Sequence, residues 1–142
     1  MNSNIELLNY IHQNSQMGRI AVEQTYREVE DENFKQLLQS QINEYEKIYD
    51  KAEEKIQKEG GKAKENSPIR KIQSYIMINL NTINDKSPSH IAQLIIRGAT
   101  MGVIDITKRI KEYREVDEEI LELANDLLKF EQRNIEELKK FL

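Results

Sequence analysis

The sequence predicts a single all-α domain over residues 1–142, built as a bundle of long antiparallel helices. Three observations support this prediction. Glycine and proline are rare, with 5 Gly and 2 Pro in the chain, whereas a protein of many strands needs a turn signal about every ten residues. Apolar residues recur along most of the chain at the three- and four-residue spacing of an amphipathic helix. A length of 142 residues is also close to the commonest size of a domain with one core.

Two long helices are predicted in the N-terminal half. The first begins with a capping box of Ser3 and Glu6, in which each side chain accepts a hydrogen bond from the backbone of the other. An acidic cluster at residues 30–32 supplies the N-cap and a favourable charge for the second helix, which ends at Gly60-Gly61. The residues expected to face inward are Leu8, Ile11, Ser15, Gly18, Val22, Thr25, Val29, Phe34, Leu37, Leu38, Ile42, Tyr45, Ile48, Ala52 and Ile56.

Two Ser-Pro pairs mark the starts of the next helices. Ser67-Pro68 begins a short helix over 69–84, and Ser87-Pro88 begins a long helix that reaches Tyr113, because serine is favoured at the N-cap and proline at the first helical position. The last helix begins near Asp117. Neither 27–31 nor 113–117 contains glycine or proline. We nevertheless expect turns there, because each uninterrupted pair would make a helix of about 85 Å with no core to lie against.

The sequence also contains an internal repeat. Tyr26-Arg27-Glu28-Val29 recurs as Tyr113-Arg114-Glu115-Val116, and an acidic cluster and a long amphipathic helix follow each copy. With that offset, Glu44 corresponds to Glu131. Because the match lies at a turn, the repeat predicts two related helical hairpins. A long crossover that contains the 69–84 helix would join them.

This layout resembles that of the ferritin-like superfamily, which includes ferritins and rubrerythrins. The resemblance implies a four-helix bundle of two hairpins joined by a long crossover. In di-iron members it also implies a Glu-x-x-His motif on the second helix of each hairpin and a carboxylate on each first helix. At the matching positions this chain has Glu44-Tyr-Glu-Lys47 and Glu131-Gln-Arg-Asn134. Each glutamate is present and each histidine is replaced, so the resemblance implies a divergent member that lacks the histidine ligands.

One candidate polar layer follows from the helix register. Counting back through each turn places Gly18 at the level of Glu44 and Asp105 at the level of Glu131. Glu44, Asp105 and Glu131 together would bind a hard cation such as Fe or Mn through oxygen. The alternative is a buried ion pair or a hydrogen-bonded layer, for which Arg109 supplies a cation. We favour this alternative because imidazole ligands are absent, and we therefore expect no cofactor, with Fe or Mn as the alternative.

Glycines occupy mid-helix positions in both halves. Gly18 lies in the first helix, and Gly98 and Gly102 lie in the helix that follows Pro88. Glycine within a helix costs roughly 1 kcal/mol relative to alanine, so these positions need a compensating benefit. Close approach of two helices is the explanation we favour, and room for a small ligand inside the bundle is the alternative.

Several classes of function find no support in the sequence. There is no cysteine, and His12 and His90 have no partner at a catalytic or metal-ligand spacing, so we predict no catalytic residue. A net charge of −4 argues against nucleic-acid binding. No apolar run approaches the about 20 residues of a membrane span, and the N-terminus has no secretory signal. We therefore expect a cytoplasmic protein.

The sequence specifies no biochemical activity, and three hypotheses follow from it. The first is a non-enzymatic ferritin-like bundle that acts through protein association, as a homo-oligomer and most simply a dimer. The 69–84 helix would be the dimer element, because broad apolar stripes on five helices leave spare hydrophobic surface. The second is a metal-binding or oxidoreductive protein that uses Glu44, Asp105 and Glu131. The third is a small-ligand binder that uses the space beside Gly18 and Gly102.

Overall fold

The computed structural model describes residues 2–63 and 85–142. Within these ranges the chain forms four helices, α1 (Ser3–Tyr26), α2 (Glu32–Lys58), α3 (Pro88–Glu112) and α4 (Glu118–Lys139), and no strand. The prediction of an all-α four-helix bundle is confirmed. The helix predicted over 69–84 lies outside the described residues.

Each half of the bundle is a hairpin of two helices, α1 with α2 and α3 with α4. At one end, the Asn4 side chain donates to Glu59 at 3.1 Å and accepts from the backbone N–H of Asp117 at 3.0 Å. At the other end, Lys86 pairs with Glu28 at 2.9 Å. The end of α2 and the start of α3 therefore lie at opposite ends of the bundle.

Both ends of α2 form as the sequence predicts. The Asp31 side chain accepts a hydrogen bond from the Phe34 N–H at 2.9 Å and caps the helix. Beyond Lys58, Gly60 adopts a φ of +75°, and the Gly61 N–H donates to the Ile56 carbonyl at 2.9 Å. This closing hydrogen bond requires the left-handed conformation that glycine adopts most easily.

The start of α1 differs from the predicted capping box. Asn2 is the N-cap, since its side chain accepts from the Asn4 N–H at 2.9 Å and its carbonyl accepts from the Glu6 N–H at 3.1 Å. Ser3 is already the first helical residue. Asparagine caps a helix as well as serine does, so a one-residue shift is energetically easy.

The core follows the helical spacing of the sequence. Each helix buries one stripe of side chains between the two hairpins, and the rings of Phe34 and Phe141 stack there with centroids 4.6 Å apart. Most residues expected to face inward are buried, whereas Gly18 and Leu37 are half-buried. No helix in the described ranges is long and apolar enough to cross a bilayer. The largest fully buried apolar side chains are Phe34, Leu7, Leu8, Ile11, Leu38, Ile56, Ile91, Ile106, Leu127 and Leu138.

Candidate functional site: a buried carboxyl beside an apolar groove

A layer of polar side chains crosses the middle of the bundle. Glu131 in α4 is only 2% exposed, and its Oε2 accepts a hydrogen bond from the Tyr45 hydroxyl of α2 at 2.9 Å. The Asn14 side chain of α1 donates to the Gly102 carbonyl of α3 at 3.1 Å. Asn134, one turn beyond Glu131, is also buried. Each of the four helices thus contributes to one hydrogen-bonded layer.

Two glycines make room for this layer. A Cβ atom added to Gly18 would lie 2.7 Å from the Tyr45 Oη and closer still to carbon atoms of its ring. A Cβ added to Gly102 would lie 2.6 Å from Oε2 and 3.0 Å from Oε1 of Glu131. The nearest atoms are therefore side-chain atoms and not the backbone of a neighbouring helix. The glycines accommodate Tyr45 and Glu131, which corrects the helix-approach explanation favoured by the sequence.

The pKa of the Glu131 carboxyl lies well above its ordinary value. The net pKa is about 8, raised from 4.5; burial is the largest cause and the nearby Asp105 carboxylate a smaller one in the same direction. The hydrogen bond from Tyr45 and the nearby Asn14 amide offset only part of this shift. Burial and the same glutamate raise the pKa of Tyr45, so the phenol keeps its proton. No residue in 2–63 or 85–142 forms an ion pair with Glu131, and within those ranges its Oε1 has no hydrogen-bond partner.

A groove of about 470 Å³ lies between α1 and α3 beside this layer. We call it the α1–α3 groove. Glu131 and Tyr45, both buried, form part of its inner wall, and Asp105 and Arg97 also line it. Its volume is within the range of small-molecule sites, which are mostly apolar with a few polar groups. The apolar and small residues that line it are Met17, Gly18, Ala21, Val22, Leu94, Ile95, Gly98, Ala99, Met101 and Gly102.

The structure brings together two of the three residues predicted as metal ligands. Glu131 and Asp105 line the same groove. Glu44 does not, because its side chain is 40% exposed and pairs with Lys47 at 3.5 Å on the surface. Its neighbour Tyr45 holds the inward position, and one residue along a helix rotates the side chain by about 100°. The placement of Glu44 in the layer was wrong.

The described residues do not fit the metal site that the resemblance implies. They contain no group of three or more His, Cys, Asp or Glu side chains that could hold a metal ion. Asp105 is already paired with Arg109 at 3.6 Å, and the Glu131 carboxyl is held by a tyrosine. The hydrogen-bonded layer, which the sequence favoured over metal binding, describes this geometry better.

Sequence reasoning missed Tyr45 as a member of the site. The spacing of α2 placed it inward, but the predicted polar layer did not include its hydroxyl. The side chain is 2% exposed and its ring packs edge-on against Phe130, with centroids 4.8 Å apart. The signal that could have identified it is Gly18, since a mid-helix glycine at the level of a tyrosine provides space for the ring.

Comparison with known proteins gives one match. No curated protein and no solved structure matches the chain. Residues 3–112 match a family described as a domain of unknown function, DUF2383. That range contains α1, α2 and α3, with Asn14, Tyr45 and Asp105, and it ends before Glu131. Since the match covers most of the sequence, the chain belongs to the DUF2383 family.

Proposed function

We propose that this protein binds a small, mostly apolar molecule in the α1–α3 groove, with a polar group of that molecule at Glu131. The Glu131 carboxyl carries the proposal, because it is buried, lines an apolar groove and leaves Oε1 without a partner in the described part of the chain. Buried polar atoms nearly always have a partner, and an unsatisfied one costs about 1–3 kcal/mol. A ligand in the groove would supply that partner.

The ligand hypothesis replaces protein association as the first choice, and association becomes the second candidate. It is supported by two large apolar side chains on α3, Met101 and Ile104, which are 70% and 55% exposed. Exposed apolar residues next to a groove are also typical of an interface between protein chains. A homodimer formed through this surface of α3 would cover them.

We also infer that the chain is a divergent ferritin-like protein. Three features support this inference: two hairpins, an end of α2 and a start of α3 at opposite ends of the bundle, and a glutamate on the second helix of the C-terminal hairpin. Metal-binding or oxidoreductive activity with Fe or Mn has less support, because Glu44 lies on the surface. We propose no catalytic residue.

The chain's glycines provide a direct test of ligand binding. Three of the 5 Gly line the groove, Gly18, Gly98 and Gly102, whereas Gly60 and Gly61 follow α2. Titration with 1-octanol, followed by the backbone amide signals in NMR, should shift the three groove glycines in a saturable way. The signals of Gly60 and Gly61 should stay in place.

A matched pair of variants then tests the location. Gly98→Leu adds a side chain where a Cβ meets nothing within 4 Å, so it should fill the groove and abolish the shifts of the other groove glycines. Thr100→Leu places the same side chain at an exposed position of α3 outside the groove and should leave binding intact. Unchanged binding by Gly98→Leu, or no saturable shift in the wild type, would refute the proposal.

A further inference from the structure

We propose that the ligand of the α1–α3 groove is an organic cation, a primary ammonium group at the end of an apolar chain, and that the ammonium pairs with the Glu131 carboxylate. This inference rests on the proposed function and specifies its ligand class. It follows from the charges at the inner end of the groove and from the free oxygen of Glu131.

The charged groups near Glu131 are acidic. From α3 it faces Asp105, from α2 the phenol of Tyr45, and from α1 the uncharged amide of Asn14. Arg109 is the cation closest to Asp105 on α3. It pairs with Asp105 at 3.6 Å and with Glu112 at 3.1 Å.

Arg109 is also held in place by an aromatic ring. Its guanidinium lies over the Tyr10 ring, 3.9 Å from the centroid, so three partners keep it away from the groove. Arg97 lines the groove but is exposed and lies about two helical turns from Asp105. The groove therefore offers two carboxyl groups, Glu131 at 2% exposure and Asp105 with its side chain 42% exposed, and the described part of the chain places no unengaged cation between them.

A positive ligand group complements this arrangement better than a neutral or a negative one. An anionic head group would face the Asp105 carboxylate and the Glu131 carboxyl, and Glu131 has no compensating cation. A neutral hydroxyl would satisfy Oε1 but gain no charge interaction. An ammonium would donate to Oε1, while Oε2 keeps its hydrogen bond from Tyr45. Hydrogen bonds to a charged group are about twice as strong as those between neutral groups.

Binding of the cation is coupled to loss of a proton. The ammonium enters with its own proton, the Glu131 carboxyl gives up its proton to solvent, and an ammonium–carboxylate pair forms. No bond to carbon changes. Because the pKa of Glu131 is about 8 in the free protein, nearly every molecule that binds the ammonium at pH 7 must release one proton.

Calorimetric titration with three probes of equal chain length tests this inference. Octylammonium, 1-octanol and octanoate are titrated at pH 7 in two buffers that differ in ionisation enthalpy, which gives the number of protons released. We expect octylammonium to bind at least about tenfold more tightly than 1-octanol, which corresponds to about 1.4 kcal/mol, and to release about one proton. Octanol should release none, and octanoate should bind most weakly.

Two variants identify the carboxyl. Glu131→Gln should remove both the preference for octylammonium over 1-octanol and the proton release. Glu44→Gln removes a carboxylate from the surface of α2 and should behave as the wild type. If Glu131→Gln does not fold, the proton count of the wild type decides the question.

The possible failures can be told apart. Equal binding of octanol and octylammonium without proton release would overturn the ammonium inference and leave the proposed function standing. Tighter binding of octanoate would also overturn it. No binding of any of the three probes would refute the proposed function itself.

Discussion

Gly18→Ala gives a stringent test of the packing between α1 and Tyr45. The new methyl group would lie within 2.7 Å of the Tyr45 Oη and closer still to its ring. The ring is buried and packs edge-on against Phe130, so it has little room to shift. Overpacking of this kind costs about 1–3 kcal/mol, whereas alanine improves helix propensity by about 1 kcal/mol. Taking the upper end of the overpacking range, we expect the free energy of unfolding to fall by about 2 kcal/mol.

Gly98→Ala is the matched control, since it makes the same substitution within a helix where a Cβ meets nothing within 4 Å. It should raise the free energy of unfolding by about 1 kcal/mol. The two variants should therefore differ by about 3 kcal/mol, with opposite signs, in urea denaturation followed by far-UV circular dichroism. The Gly18→Ala loss should shrink in a Tyr45→Leu background. Stabilisation by both alanines would refute the contact between Gly18 and Tyr45.

Two further predictions concern Glu131 and the helix caps. The folded-state pKa of Glu131 is raised to about 8 from 4.5, so the unfolded chain loses this proton first and the wild type loses stability as pH rises from about 4.5 to about 8. Relative to the wild type, Glu131→Gln should gain stability across this window in urea titrations at pH 5 and pH 8; a constant difference would contradict the buried neutral acid. Asp31→Ala should lower the free energy of unfolding by about 1 kcal/mol because it removes the N-cap hydrogen bond that the Asp31 side chain accepts from the Phe34 N–H. Asp117→Ala, which removes no side-chain cap bond, should lower it less, and equal losses would show that the Asp31 cap is not formed.

The sequence predicted the helices well because their signals are local. Asp31 caps α2 and Gly60 ends it through interactions with residues at most a few positions away. The inward position of Glu131 was predicted for the same reason. It shares one helical stripe with Leu127 and Leu138, and all three are buried. The apolar face of a helix can be identified from the sequence of that helix alone.

The membership of the polar layer could not be predicted in the same way, because it depends on the register between helices. Counting residues back through each turn placed Gly18 at the level of Glu44 and Asp105 at the level of Glu131, and it assumed equal heights on neighbouring helices. An error of one residue rotates a side chain by about 100°, which exchanges Glu44 for Tyr45. The role of Gly18 could not be predicted for the same reason, because the glycine makes room for the Tyr45 ring, which belongs to another helix.

The polar layer, the glycines and the groove have one common origin. Tyr45 and Glu131 fill the space that side chains at Gly18 and Gly102 would occupy. Neither glycine contributes a side chain to the α1–α3 groove, and Gly98, one turn before Gly102, has open space where its Cβ would lie.

The chemistry of the layer follows from the groups that Glu131 meets. The phenol of Tyr45 donates a hydrogen bond to a carboxyl whether or not that carboxyl carries a proton, whereas a metal ion requires an ionised ligand. Lys47, at the position where the resemblance implies a histidine, lies on the surface beside Glu44. Burial is what favours the protonated carboxyl, and the hydrogen bond from Tyr45 opposes that effect only in part. A molecule that enters from the groove must either hydrogen-bond to that carboxyl or displace its proton, and a measured proton release distinguishes these two modes of binding.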